Sequence, residues 1–159
     1  MEKRIIFMGA DAAGYALKEE IKEYIIKKGY SVLDMGCHSD ESCHYPIFAH
    51  AVCENVQKAP DTSFGILICG TGIGMSMCAN KYKDIRAALC GDTFSAEMTR
   101  KHNNANVLCM GARVIGSELA KRIADEFLRH DFEGGRHQTR LDMMADHEAK
   151  DRAKFQASN

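Results

Sequence analysis

Residues 64–74, FGILICGTGIG, are the segment that most clearly predicts the fold, because an apolar run ends there in a glycine-rich turn. A short apolar run bounded in this way is typical of a strand that is buried on both faces of a parallel sheet. The glycines predict a tight turn that opens a helix and exposes backbone N–H groups to a ligand. Cys69 ends the strand, where a helix N-terminus favours the thiolate. We therefore expect a nucleophile or base beside an anion-binding loop.

Strand-like and helix-like segments alternate along the rest of the chain. Short apolar runs predict strands at 4–8, 31–34, 64–68, 86–90 and 107–110. Apolar residues at helical spacing predict helices at 15–28, 47–58, 72–81, 93–102 and 117–130, the last with Ser117 as its N-cap. This alternation is typical of a five-stranded parallel α/β sheet covered by helices on both faces. Ligands of such sheets bind at the carboxyl ends of the strands, so we expect the functional residues to converge there.

The composition predicts one globular domain over residues 1–159. Hydrophobic residues make up 45% of the chain and charged residues 27%, which is ordinary for a soluble protein. The net charge of −1 gives no broad attraction to nucleic acid or to an anionic membrane, and no apolar run approaches membrane-spanning length. Seven cysteines without a C-x-x-C pair or a secretory signal predict reduced thiols in a cytoplasmic protein.

The character of the chain changes after Phe132. Residues 133–140 are polar and cationic and predict a hinge, and residues 141–155 follow as a loosely patterned helix. We expect residues 133–159 to form a C-terminal helical arm that packs on a neighbouring subunit.

The glycine-rich loop at 69–74 has two interpretations when it is taken alone. It is either an ordinary strand–helix turn with a cysteine as a small core residue, or a catalytic loop. It is not a Walker loop, because no Lys-Ser/Thr pair follows Gly74. A dinucleotide fingerprint is expected after the first strand, where residues 9–14 read G-x-x-x-x-G instead, so nucleotide binding is a weak alternative.

Three further residues have both a structural and a functional interpretation. His102 ends a helical pattern just before two asparagines, which is typical of a helix C-cap, but an imidazole is also a general acid or base near neutral pH. Asp11 follows the first strand, where it is either a helix N-cap or a carboxylate that binds hydroxyl groups. Tyr45 introduces the second helix and is by itself a loop aromatic.

The arginines and the other histidines also divide between two interpretations. Arg113, Arg136 and Arg140 are either solvated surface residues or a cluster that grips a phosphate through forked hydrogen bonds. The remaining histidines have no metal-ligand spacing with the cysteines, so we interpret most of them as surface residues and predict no metal site. They are His38, His44, His50, His130, His137 and His147.

Eight segments, taken together, match a known family in order and in spacing. They are Gly9-Ala-Asp11…Gly14-Tyr15, Asp40…Tyr45-Pro46, Ile68-Cys-Gly-Thr-Gly-Ile-Gly74, Ala79-Asn-Lys81, Arg86-Ala-Ala88, His102-Asn-Asn-Ala-Asn106, Gly111-x-Arg113 and Glu133-Gly-Gly-Arg-His137. With these segments the chain resembles the ribose-5-phosphate isomerase B / galactose-6-phosphate isomerase family from residue 4 to about residue 145.

The resemblance implies a fold, an assembly and a reaction. The fold is a three-layer α/β/α, Rossmann-like domain, and the assembly is a homodimer or homotetramer with the site at the subunit interface. No cofactor is implied. The reaction interconverts an aldose phosphate and a ketose phosphate through an enediolate.

The resemblance also implies a role for each matching residue. Cys69 would be the base that moves a proton between C1 and C2, with Thr71 assisting at the hydroxyl oxygens. His102 would open the cyclic sugar at its ring oxygen. The enediolate oxygen would be held by the loop amides, from Gly70, Gly72, Ile73 and Gly74. The substrate-binding side chains would be Asp11 and Asn103 for the sugar hydroxyls, Tyr45 beside them, and Arg113, Arg136 and Arg140 for the phosphate.

Ala12 departs from the family pattern, which usually has a histidine at this position. That histidine contributes to substrate binding, so its replacement leaves three interpretations open: weaker phosphate binding, a different sugar, or an engineered change. We expect ribose 5-phosphate as the substrate. The alternatives are a hexose 6-phosphate, a tetrose 4-phosphate, or a non-catalytic protein that binds a sugar phosphate.

Overall fold

The computed structural model describes residues 4–158 as a single five-stranded sheet with helices on both faces. The strands are β1 (Ile5–Ala10), β2 (Ser31–Asp34), β3 (Ser63–Cys69), β4 (Ala87–Leu89) and β5 (Val107–Gly111). They lie in the order β2-β1-β3-β5-β4, and every neighbouring pair is parallel. The predicted α/β class and five-stranded parallel sheet are therefore confirmed, with strand ends displaced by no more than two residues from the predicted ends.

Six helices connect and cover the strands. They are α1 (Tyr15–Lys27), α2 (Tyr45–Lys58), α3 (Ile73–Ala79), α4 (Thr93–Asn103), α5 (Ser117–Arg129) and α6 (Arg136–Ala157). None of the helices in residues 4–158 is both long enough and apolar enough to cross a membrane.

The core is divided by the sheet into two layers, because successive strand residues point to opposite faces. The strand residues that pack against α1, α4 and α5 are Ile6, Met8, Ile66, Ile68, Leu108 and Met110. Those that pack against α2 and α3 are Phe7, Leu67, Val107 and Cys109. Because both faces are covered, the three inner strands β1, β3 and β5 are almost continuously apolar, which is why the sequence showed runs there rather than alternation.

The C-terminal region differs from its prediction. The sequence placed a hinge at 133–140, but α6 already begins at Arg136. Only the short link before it is non-helical, and in that link Gly134 and Gly135 have φ of +64° and +56°. The polar residues of the first turn of α6 gave no apolar periodicity, so the start of the helix was not visible in the sequence.

Two predicted helix caps are also different in the structure. Ser117 is the first residue of α5, and Gly116 is its N-cap. The N-cap of α1 is Gly14, whereas Asp11 lies in the turn before it and accepts a hydrogen bond from the Gly14 amide through Oδ1, at 3.0 Å.

Candidate active site

The glycine-rich loop after β3 places a backbone N–H against the Cys69 sulfur. The Gly72 amide donates to Sγ at 3.1 Å, and the cysteine side chain is almost fully buried. Gly72 has φ of +77°, and a Cβ at this residue would lie 2.5 Å from Leu89 Cδ1 and 2.8 Å from the Met110 carbonyl carbon. Only glycine fits this backbone, and an N–H aimed at sulfur stabilises negative charge on it.

Two backbone hydrogen bonds hold this loop to the end of β5, where Arg113 also places its guanidinium group beside the loop. The amides of Ala112 and Arg113 donate to the carbonyl oxygens of Cys69 and Gly70, both at 2.9 Å. The side chain of Arg113 lies over Gly70, with Cδ and Nη1 each 3.5 Å from where a Cβ would stand. Within residues 4–158 no carboxylate oxygen lies within 4.0 Å of a nitrogen of Arg113, so this cation is available to an anionic ligand.

Asp11 and Tyr45 border the same loop. The Asp11 amide donates to the carbonyl oxygen of Ile68 at 3.2 Å, which joins the turn after β1 to the end of β3. Tyr45 begins α2, and its ring packs on Gly74 so closely that a Cβ there would be 2.8 Å from the ring. Together with Thr71 and Arg113, these residues form what we term the Cys69 half-site, defined as Asp11, Ala12, Tyr45, residues 69–74 and Arg113.

His102 and Asn103 lie at the opposite edge of the sheet. Helix α4 starts after the carboxyl end of β4 and runs back, so that its last residues stand just before the amino end of β5. Asn104 ends the helix with φ of +47°, as the predicted asparagine C-cap requires. A strand rises about 3.3 Å per residue, so the seven residues of β3 separate the two edges by roughly 20 Å. One chain does not bring Cys69 and His102 together.

His137 stacks on His102, which the sequence did not reveal. Their ring centroids are 4.1 Å apart with an interplanar angle of 10°. His137 is buried, so it is an exception to the expectation that most of these histidines are surface residues. Burial lowers the pKa of His137, and electrostatic interactions with His102, Arg136 and Arg140 lower this pKa further, against the opposing effect of Glu133. No periodicity marked this residue, although it closes the Glu133–His137 family segment.

Arg136 and Arg140 are exposed on the first turns of α6, beside the histidine stack. The link before α6 is held to α4 by the Glu133 amide, which donates to the carbonyl oxygen of Lys101 at 3.0 Å. We term this group the His102 half-site, defined as His102, Asn103, Arg136, His137 and Arg140. The structure thus collects the predicted residues into two separate groups.

The comparisons with known proteins agree with the fold. Residues 6–144 match the family described as Ribose/Galactose Isomerase. The chain belongs to this ribose/galactose isomerase family. It is 45% identical over 142 residues to "Ribose-5-phosphate isomerase B" of Escherichia coli (strain K12), covering 89% of this chain and 94% of that protein. It is 48% identical over 146 residues to "Putative sugar phosphate isomerase YwlF" of Bacillus subtilis (strain 168), covering 91% and 97%.

Solved structures of ribose/galactose isomerase relatives have the same fold. Ribose-5-phosphate isomerase B of Clostridium thermocellum superposes with a TM-score of 0.89 at 46% identity, covering 92% of this chain and 98% of that one. The enzyme of Mycoplasma genitalium, solved with bound ribulose-5-phosphate, superposes with a TM-score of 0.89 at 41% identity, covering 94% and 99%. The family resemblance and the Rossmann-like fold that it implied are both confirmed.

Two groups of side chains in this family member have donor atoms close enough to hold a metal ion. In each group the donor atoms lie within 4.8 Å of one another, and no cysteine of the described chain takes part. The first is His102, Glu133 and His137, in which the two imidazole rings are stacked. The second, Glu97, Glu126 and His130, is already bound by cations, with Lys101 2.6 Å from Glu97 and Arg129 2.5 Å from Glu126. The carboxylates of this second group are satisfied by those ion pairs.

Proposed function

We propose that the chain is an aldose–ketose isomerase that interconverts ribose 5-phosphate and ribulose 5-phosphate. The observation that carries this proposal is the buried Cys69 sulfur, which receives the Gly72 N–H beside the guanidinium of Arg113, a cation with no ion pair among residues 4–158. A base next to an anion-binding cation is what proton transfer on a phosphorylated sugar requires. Relatives named ribose-5-phosphate isomerase B, at 45% and 46% identity, support the same substrate.

The proposed reaction moves one proton between neighbouring carbons. The Cys69 thiolate removes the proton from C2 of the open-chain aldose, and the electron pair passes to the C1 carbonyl oxygen to give an enediolate. The thiol then returns the proton to C1, while the proton on O2 moves to O1 with the Thr71 hydroxyl as its carrier. Backbone N–H groups at the start of α3, which have no partner within the helix, stabilise the enediolate oxygen.

The proposed site is completed by a second copy of the chain. Ring opening requires an acid–base group at the same sugar from which Cys69 removes the proton, yet His102 lies about 20 Å away within one chain. An isologous dimer in which the His102 half-site of one copy covers the Cys69 half-site of the other would form two complete sites. Arg136 and Arg140 of the second copy would then join Arg113 at the phosphate.

Exposed apolar side chains beside the Cys69 half-site support this assembly. Ile73 and Met77 are 50% and 64% exposed on α3, and Leu89 and Phe94 are 43% and 69% exposed around the end of β4. Large apolar side chains grouped at one surface are typical of a subunit interface. Burying this patch would also close the glycine-rich loop to water.

The decisive experiment follows solvent deuterium into the sugar. Incubation of the protein with ribose 5-phosphate in D₂O should produce ribulose 5-phosphate and exchange at C2, read by proton NMR. Cys69→Ala should lower kcat by several orders of magnitude with a smaller change in KM, because the base acts in the transition state. Cys53→Ala, in the core, is the matched control and should keep near wild-type kcat. A wild-type protein that binds the sugar phosphate without exchange is instead a binding protein.

A substrate panel tests the choice of sugar. Allose 6-phosphate, galactose 6-phosphate and a tetrose 4-phosphate should each be turned over with a lower kcat/KM than ribose 5-phosphate. A preference for a hexose 6-phosphate would keep the isomerase chemistry and replace the substrate.

A further inference from the structure

A second cationic cavity lies at the amino-terminal edge of the sheet, away from the Cys69 loop. Its volume is about 190 Å³, and its lining includes Arg4, Phe64, Asp84, Arg86, Asn104 and Asn106. Arg4 directly precedes β1, Arg86 directly precedes β4 and Asn106 directly precedes β5. The cavity is therefore formed where the strands begin, whereas the Cys69 half-site is formed where they end.

The two arginines of this cavity have more donors than partners. Arg4 Nη1 donates to the carbonyl oxygen of Asp61 at 2.6 Å, and Arg86 Nε donates to the carbonyl oxygen of Asn104 at 2.9 Å. In the part of the chain from residue 4 to residue 158, neither guanidinium has a carboxylate oxygen within 4.0 Å. Each guanidinium carries five N–H donors, so most of them remain for a ligand.

A third arginine adds positive charge behind the cavity wall. The guanidinium of Arg100 lies 4.4 Å from the centroid of the Phe64 ring, and that of Arg4 lies 4.5 Å from the same centroid. Arg100 is buried and donates to the Asn104 side-chain oxygen at 3.2 Å and to the carbonyl oxygen of Ala105. Burial lowers the pKa of Arg100 to about 10, and the nearby charges of Arg4 and Arg86 contribute, with Asp131 opposing them. These cations repel one another in the absence of an anion.

The acidic groups of the cavity form no ion pair with Arg4 or Arg86 within residues 4–158. Asp61 and Asp84 are both in its lining, but their contacts with the arginine and with Asn106 are made by backbone carbonyl oxygens rather than by carboxylates. Asp84 offsets part of the positive charge at Arg86 and Asp131 part of that at Arg100, but neither carboxylate lies within 4.0 Å of the Arg4 or Arg86 guanidinium. The donors surround a space too small for a nucleotide or a polymer, which favours a compact ligand with several acceptor oxygens.

We propose that this cavity binds a small inorganic oxyanion, such as phosphate, through Arg4 and Arg86. The bound anion would bridge the starts of β1 and β4 and reduce the repulsion among the three arginines. It would stabilise the folded state by mass action without competing with the sugar phosphate.

The test separates this cavity from the proposed substrate site. Inorganic phosphate is titrated, at constant ionic strength with chloride as the balancing ion, into the Arg113→Ala/Arg140→Ala double variant. Isothermal titration calorimetry should show one phosphate per chain, and the melting temperature should rise saturably. Adding Arg4→Ala should weaken the Kd by about tenfold, because a charge-assisted hydrogen bond is lost. Arg122→Ala, an exposed arginine on α5, is the matched control and should leave the Kd unchanged.

Three outcomes would overturn the proposal. If chloride gave the same heat of binding and the same rise in melting temperature as phosphate, the effect would be a general one of ionic strength. A Kd that Arg4→Ala leaves unchanged would place the phosphate elsewhere. If phosphate and ribose 5-phosphate excluded one another in the wild-type chain, and still did so in the Arg4→Ala variant, the phosphate would be binding at the substrate site. Arg86→Gln is a second variant that should weaken the Kd for phosphate by about the same factor. If Arg86→Gln does not fold, the result with Arg4→Ala is decisive.

Discussion

Cys69 is distinguished from the other cysteines by its surroundings. All seven thiols are free, and Cys69 is the one whose sulfur receives a backbone N–H. Burial raises the pKa of both Cys53 and Cys90 to about 12, with a smaller contribution from Cys78 or Asp92. Those two thiols stay protonated at neutral pH and serve as core residues. The sequence predicted that the cysteines are mainly structural and singled out Cys69, which precedes a glycine-rich turn.

Ala12 is the position at which a single substitution tests the choice of substrate. This side chain is half-buried beside Asp11 and carries no hydrogen-bond donor. Ala12→His would restore a donor beside Asp11, so we expect kcat/KM on ribose 5-phosphate to rise by about tenfold, chiefly through a lower KM. Ala12→Phe, which adds a ring without a donor, is the control. A loss of activity with histidine would indicate that the pocket is shaped for another sugar.

At the scale of elements, a buried ion-pair cluster ties α1 to the end of β2. Lys18 is fully buried, with Nζ 2.5 Å from Asp34 Oδ2 and 2.8 Å from Glu19 Oε1. The other oxygen of Asp34 accepts the Gly36 amide at 3.0 Å, and the Gly36 carbonyl oxygen in turn accepts the Ala10 amide at 2.7 Å. The cluster thus supports the backbone just before Asp11. Periodicity gave α1 and β2 but not this contact, because pairing across elements depends on tertiary packing.

The cluster predicts how stability depends on pH. Burial alone would raise the pKa of Asp34, but hydrogen bonds from Lys18, Lys22 and the Gly36 amide lower it to about 2. A carboxyl with a depressed pKa in the folded state contributes stability above its unfolded pKa of about 3.9, and this contribution is lost as the pH falls toward 2. The free energy of unfolding, from urea titrations between pH 5 and pH 2, should therefore decrease over this interval.

Asp34→Asn should remove that part of the pH dependence and leave Lys18 buried without its main counter-ion. We expect a loss of about 3 kcal/mol in the free energy of unfolding at pH 7. Asp146→Asn makes the same chemical change in an exposed pair on α6, where Lys150 is 3.4 Å away, and should cost less than about 0.5 kcal/mol. Equal effects of the two variants would show that the buried cluster contributes no more than a surface pair.

In the whole molecule, the separation of the two half-sites determines whether one chain can form a complete site. Cys69 and His102 lie at opposite edges of one sheet, so we expect each complete site to draw on two chains. Co-refolding equal amounts of Cys69→Ala and His102→Ala chains should recover about one quarter of wild-type activity. Half of the dimers would be mixed, and each mixed dimer would hold one intact site of two. Either variant alone should be nearly inactive.

A second mixture is the control for this experiment. Cys69→Ala and Arg113→Ala affect the same half-site, so their mixed dimers contain no intact site and should recover no activity. Recovery in both mixtures, or in neither, would contradict a site shared between chains. Sedimentation of the same samples checks that the chains associate.

The sequence by itself determined the α/β class, the number and approximate bounds of the strands, and the Cys69 loop, because these depend on local periodicity and on glycine backbone angles. Tertiary structure decided the rest. The burial of His137, the start of α6 at Arg136 and the Asp34 cluster arise from contacts between elements that are distant in the chain. The separation of Cys69 from His102 has a similar cause. A helix that follows a parallel strand must run back across the sheet, and this carries His102 away from Cys69.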